Sequence, residues 1–135
     1  MDLRLRGKIA VVTGASKGIG WAVTRALVDE GVTVVAGART AGPDLPTLQA
    51  DGRVTFVPVD LTTPAGPVAL VARAAELGGI DILINNAGAV TPRPAGFASV
   101  TDEDWDRTFI LTLMAAVRTT RAALPEMVRR GGGSI

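Results

Sequence analysis

A chain of 135 residues that is 47% hydrophobic and 20% charged has room for one domain with a buried core, which excludes a disordered polypeptide. With 14 basic against 13 acidic residues the net charge is +1, so the charge balance draws the chain neither to nucleic acid nor to a membrane surface. It contains no cysteine, histidine or tyrosine, which excludes disulfides, thiolate or imidazole metal ligands and phenol acid–base chemistry, and the carboxylates show no metal-ligand spacing.

In chain order, residues 1–8 carry basic side chains, but the apolar run behind them is too short for a secretory segment. That run, Ile9–Thr13, is rich in β-branched residues and reads as a buried strand. It leads into Gly14-Ala15-Ser16-Lys17-Gly18-Ile19-Gly20 and then a helix. The spacing predicts an apolar stripe of Ile19, Ala22, Val23, Ala26 and Leu27 on this helix, with Gly31 as its stop. A second strand is expected at 33–36. Residues 41–52, with two prolines and two glycines, read as a loop or a short, weak helix.

Val54–Pro58 is the third expected strand. Thr63 then stands as an N-cap before Pro64 at the first helical position, leading to Val68, Val71, Ala72 and Ala75, and Gly78-Gly79 close the helix. The fourth strand, 80–85, ends in Asn-Asn-Ala-Gly. The last helix has the clearest start: Thr101 as N-cap, Asp104 three residues on, and Val100 and Trp105 placed as a hydrophobic staple. Phe109, Leu113, Ala116 or Val117, and Leu124 share one side of it; Pro125 is expected to kink it and 131–133 to end it. Its apolar tract, 109–117, is far below membrane-spanning length.

Strands that are apolar throughout, alternating with helices, predict an α/β fold: a doubly wound parallel sheet of Rossmann type, ordered 3-2-1-4, in a single domain over 1–135. In the glycine turn, Gly14 permits a tight exit from the strand, Gly18 lets backbone approach a ligand, and Gly20 lets helix pack closely on sheet. The spacing is G-x-x-x-G-x-G, which by itself also suits an ordinary strand–helix turn. The Asn-Asn-Ala-Gly end lies where parallel sheets bind ligands, at the carboxyl end of a strand beside the first.

Together, Thr13-Gly14-(x)3-Gly18-Ile19-Gly20, Asp60-Leu61-Thr62 and Asn85-Asn86-Ala87-Gly88 resemble the short-chain dehydrogenase/reductase family of the ordinary type, over essentially the whole chain. The resemblance implies that Gly14, Ser16, Gly18, Ile19 and Gly20 line a diphosphate turn. It implies that Asp60 accepts from the adenine amino group with the Leu61 backbone beside the ring. Asn86, Ala87 and Gly88 would hold the end of the fourth strand against the ribose side of the cofactor. Local roles stay open beside these: Asp60 as a helix-approach cap, Asn86 as a turn residue and Ser16 as a cap.

The end of the second strand, Val34-Val35-Ala36-Gly37-Ala38-Arg39, lacks the acid that an NAD site places there. Arg39 can fork onto a 2′-phosphate and Lys17 adds a second cation, a pairing that resembles NADP-preferring members; the alternative is two solvated loop cations. NADP(H) is therefore favoured over NAD(H).

The family transfers hydride between nicotinamide and a carbonyl or alcohol, using a tyrosine, a lysine four residues later, a serine and a helix asparagine. Thr112 falls at the asparagine position and reads as a helix residue bonding its own i−4 carbonyl, doubtful as a catalytic group. Gly132-Gly133-Ser134-Ile135 resembles the start of a fifth strand, barely begun, beyond which the serine, tyrosine and lysine belong. The expectation is a truncated chain, the cofactor-binding half of an NADP(H)-dependent oxidoreductase, inactive alone. The alternative is a non-catalytic nucleotide-binding or interaction module. Three further expectations follow: a cytoplasmic location, an unpaired apolar edge at 80–84, and an open apolar helix face at 101–130 through which two copies associate.

Overall fold

Strand β1, Ile9–Thr13, is buried along its whole length, and its side chains alternate between two cores. Ile9 and Val11 join one core, Ala10 and Val12 the other. The computed structural model describes residues 2–135. Around β1 it sets β2 (Thr33–Ala38), β3 (Val54–Pro58) and β4 (Ile82–Ile84) in one sheet of order β3-β2-β1-β4. Every pairing is parallel. The doubly wound order expected from the alternation is therefore present.

Two strands differ in extent from expectation. β2 runs on to Ala38, because Gly37 and Ala38 still pair with Val57 and Pro58 of β3. β4 is shorter than 80–85, because Asn86 turns back at once, its N–H donating to the Ile84 carbonyl at 3.1 Å. The outer edge of β4 is not bare either. Ser134 forms a parallel bridge with Ile82, taking the Leu83 N–H at 2.9 Å and donating to the Asp81 carbonyl at 2.9 Å. A fifth strand thus begins where expected, over one bridge.

Helix α1 (Gly18–Asp29) and the short α2 (Leu45–Ala50) cover one face of the sheet, with Val28 and Leu45 in its core. Helices α3 (Ala65–Glu76) and α5 (Ala115–Arg129) cover the other. The inward faces match the expected stripes only in part: Val23 and Leu27 of α1 pack against the core as expected. On α1 the buried positions are Gly20, Thr24 and Val28, whereas Ile19 is 76% exposed and Ala22 and Ala26 are exposed. Gly20 decides this rotation: a Cβ there would overlap the Gly14 carbonyl, so this small residue faces the sheet. Thr24 can then be buried because its hydroxyl donates to the Gly20 carbonyl at 2.9 Å.

On α3, Val71 faces inward as expected, but Val68 and Ala72 are exposed and Leu70 and Ala74 take their place. Leu70 packs where Gly37 leaves room on β2. Thr63 accepts the Gly66 N–H at 3.1 Å, but the helix begins at Ala65, so Pro64 stands at the N-cap position and not at the first helical one as expected.

Helix α4 (Asp102–Phe109) carries the expected capping box, with Asp104 N–H donating to Thr101 Oγ1 and Thr101 N–H donating back to Asp104 at 3.2 Å each. Arg93 adds an ion pair on the Asp104 carboxylate, which with the Thr101 N–H holds its pKa below the usual carboxylate range. Trp105, exposed, meets Phe97 edge-on at 6.4 Å between ring centroids. A π-helical turn, Ile110–Met114, joins α4 to α5, and α5 runs through Pro125 to Arg129. Ala115, Thr119, Ala123 and Met127 face inward. Phe109, Leu113 and Leu124 are exposed, so the stripe read from the sequence is the open side of this helix. Among the described residues no helix is long and apolar enough to cross a membrane.

Away from the carboxyl ends of the strands, Asp81 fastens the sheet to the end of α5. Its carboxylate accepts the Ile9 N–H at 2.8 Å and the Arg130 guanidinium at 3.0 Å, with Lys8 at 3.7 Å. Partial burial works to raise its pKa, but the Ile9 N–H, Arg130 and Lys8 outweigh it and hold the carboxyl below its ordinary value.

Candidate nucleotide-binding site

The carboxyl ends of β1 and β4 are stitched together by Thr13. Its buried hydroxyl accepts the N–H groups of Asn86 and Ala87, both at 2.9 Å, and donates to the Ile84 carbonyl at 3.3 Å. Asn86 answers from the other side, its amide donating to the carbonyls of Thr13 at 3.0 Å and Gly14 at 3.2 Å. The Asn86 side chain is therefore engaged with β1 backbone, a tie across the sheet that differs from the left-handed turn role left open for it, since Asn86 does not have positive φ.

Gly14 and Gly18 have φ of +67° and +56°, a backbone region that side chains disfavour. A Cβ on Gly14 would touch the Ala87 Cα at 3.0 Å, whereas one on Gly18 would meet open space. Among the described residues, the N–H groups of 16–20 have no protein acceptor. They sit at the N-terminal, electropositive end of α1, whose cap residue Lys17 offers no side-chain bond.

These elements surround a cleft of about 450 Å3. Gly14, Ser16 and Lys17 form one wall, Arg39 and the loop behind it a second, Asp60 and Leu61 a third, and Ala87 and Gly88 a fourth. Of the remaining expected site residues, Gly20 is buried beneath the turn and Ile19 points to solvent. Gly18 is exposed and Asn86 half-buried, and neither is among the residues lining the cleft. Lys17 and Arg39 are exposed, and neither forms an ion pair among the described residues.

Asp60 is exposed, and its Oδ1 accepts from the Thr62 hydroxyl at 2.7 Å and the Thr62 N–H at 2.9 Å. Those two bonds, with Arg39 nearby, hold its pKa below the ordinary value. Both spend the same oxygen, so Oδ2 has no partner among the described residues. The Leu61 side chain is buried in the core, leaving backbone to face the cleft. Arg118 of α5 braces this wall, donating to the Thr62 carbonyl at 3.0 Å.

Thr112 lies in the π-helical turn, exposed, with Oγ1 3.9 Å from the position of a Cβ on Gly88. It makes no i−4 bond of the kind expected, since the widened turn takes it out of α-helical register. Its neighbour Leu111 reaches the cleft instead. Sequence reasoning also missed the structural part of Thr13, whose signal was its place at the strand end, and the loop residues Thr40, Ala41, Gly42 and Pro43. A larger, more open concavity of about 760 Å3 lies on the outer side of α5, lined by Val117, Leu124 and Val128. It carries few polar groups, and the cleft is where the donors converge.

A parallel 3-2-1-4 sheet whose strand ends, glycine turn and helix N-terminus converge on one cleft defines a Rossmann-type nucleotide-binding fold. Residues 8–135 match the profile of the family described as short chain dehydrogenase. The chain is 36% identical over its full length to the uncharacterized oxidoreductase YvrD of Bacillus subtilis, covering 52% of that protein. It is 40% identical to human dehydrogenase/reductase SDR family member 4, over 97% of this chain and 49% of that one. Among solved structures, L-sorbose reductase from Gluconobacter frateurii, crystallised with NADPH and L-sorbose, superposes with a TM-score of 0.86 at 38% identity. That match covers 98% of this chain and 52% of the reductase. The chain belongs to the short-chain dehydrogenase/reductase family of oxidoreductases. It spans about half the length of the relatives it matches.

Proposed function

We propose that these residues form the single domain that holds the cofactor of an NADP(H)-dependent short-chain oxidoreductase. One observation carries the reading: two unpaired cations, Lys17 and Arg39, line the cleft together with Ser16, where the run of unpartnered N–H groups 16–20 begins, with no acid at the end of β2. That donor set fits a dinucleotide with a 2′-phosphate. The N–H groups suit the diphosphate, Gly18 leaves open space before it, and the two cations suit the extra phosphate. Asp60 Oδ2 is free to accept from the adenine amino group beside Leu61 backbone, and Asn86 fixes Ala87 and Gly88 at the ribose side.

When bound, the cofactor supplies hydride exchange with a carbonyl or alcohol. These 135 residues hold no tyrosine, so we assign them binding without turnover by themselves, with Thr112 given no proton-transfer role. NADPH bound to the sorbose reductase supports the choice of cofactor by analogy. The exposed apolar side of α4, the π-helical turn and α5, including Phe109, Leu113 and Val128, supports association with a second copy.

Titration of the 135-residue chain with NADPH and NADH, followed by nicotinamide fluorescence, tests the reading. Saturable NADPH binding, at least about tenfold tighter than NADH, is the expected result. Absence of saturation, or equal affinity for the two, refutes it.

A further inference from the structure

Gly42 lies in the loop between β2 and α2, three residues beyond Arg39, in the wall of the cleft. A Cβ added there would overlap the Ser16 carbonyl oxygen and come within 3.1 Å of the carbonyl carbon. The Cα–H of Gly42 therefore points at that oxygen in close contact, a weak Cα–H···O interaction. Backbone conformation is not the reason for the glycine, since Gly42 is absent from the positive-φ glycines among the described residues. Gly52, at the far end of α2, is the opposite case: φ of +70° and nothing within 4 Å of an added Cβ.

The contact joins two parts of the cleft that are otherwise held separately. On the Ser16 side the backbone is fixed, because the N–H groups of Gly14 and Ala15 donate to the Gly37 carbonyl at 2.8 and 3.2 Å. On the other side, the Gly42 carbonyl accepts the Leu45 N–H at 3.2 Å, and Leu45 is buried. Exposed residues 39–41 lie between these anchors. A side chain at position 42 would thus push this stretch outward and leave the glycine turn in place.

We infer that Gly42 is a positioning residue: its contact with the Ser16 carbonyl sets the distance from Arg39 to Lys17 and so tunes the cleft for a 2′-phosphate. The inference rests on the NADP(H) reading above. It predicts a defect confined to one phosphate. In Gly42→Ala and Gly42→Ser, NADPH affinity falls about tenfold or more, the scale of one charge-assisted contact, while NADH affinity stays within about threefold. The melting temperature stays within about 3 °C of wild type. Amide hydrogen exchange of the ligand-free chain quickens at 40–42 and is unchanged in β1 and β2.

Equal losses for both dinucleotides, unchanged NADPH affinity, or a larger fall in melting temperature overturns the inference, since each assigns Gly42 a general structural role or none. Should wild type bind neither dinucleotide, the NADP(H) reading fails, and the contact is then judged by exchange alone. Unchanged exchange at 40–42 in Gly42→Ala overturns it, and faster exchange there supports loop positioning.

Discussion

Thr13→Val removes one oxygen and keeps the shape of the side chain, so it isolates the hydroxyl that joins β1 to β4. That hydroxyl accepts two backbone N–H groups at 2.9 Å and donates to one carbonyl. A buried donor left without a partner costs about 1–3 kcal/mol. Thr13 is only 2% exposed, but Asn86 and Ala87 are half-buried and water can reach part of their backbone. The Asn86 N–H keeps its second acceptor, the Ile84 carbonyl at 3.1 Å, so the Ala87 N–H alone is left without a partner, and a loss of about 1–2 kcal/mol is expected. For a chain of this size that corresponds to a fall in melting temperature of roughly 3–10 °C. Thr13→Ser keeps the oxygen and loses one methyl, so about 1 kcal/mol is expected. Thermal and urea unfolding, monitored by circular dichroism, compare the two. The reasoning is refuted if Thr13→Val unfolds within about 0.5 kcal/mol of wild type, or if Thr13→Ser is the worse variant.

Gly20→Ala places a methyl against the Gly14 carbonyl and the Asn86 amide, both held in the turn; a loss of about 3 kcal/mol is expected, with NADPH binding abolished, read by unfolding and titration. Arg39→Ala should weaken NADPH by about tenfold and leave NADH nearly unchanged, with the difference shrinking at high salt in repeated titrations. Asp81 has a folded pKa below its unfolded value. Its contribution is therefore complete above the unfolded pKa of about 3.9 and lost as pH falls through the folded one. Asp81→Asn should cost about 2 kcal/mol at pH 7 and flatten the fall of stability with acid, as urea melts across pH 2–7 would report.

The sheet order and part of the lining of the candidate cleft were legible because they rest on local signals. A β-branched run, a glycine at positive φ and a capping box each act over a few residues, and Ile9–Thr13, Gly14 and Thr101 all behave as their neighbours in the chain dictate. The helix faces were not legible in the same way. Hydrophobic spacing favours Ile19 and Val68, yet Gly20 and Leu70 are the residues that face the sheet, because steric fit to Gly14 and Gly37 sets the rotation. Such fits involve residues far apart in sequence. The loop wall of the cleft was hidden for the same reason: Gly42 and Pro43 read as breakers until the chain is folded, when Gly42 meets Ser16.

The π-helical turn at Ile110–Met114 has a consequence for how the long carboxyl-terminal helix can be tuned. An i→i+5 turn holds one residue more than an α-turn, so all that follows is rotated by about 100° relative to an unbroken helix. The turn is a phase joint. Upstream, the azimuth of α4 is set by the Thr101 box and by Arg93; downstream, that of α5 is set by the packing of Ala115, Thr119 and Ala123. The surplus residue lets both angles be met at once, and it frees Leu111 to turn toward the cleft. Length changes within 110–114 would therefore alter which side of α5 the sheet receives, while substitutions there that keep the length would not.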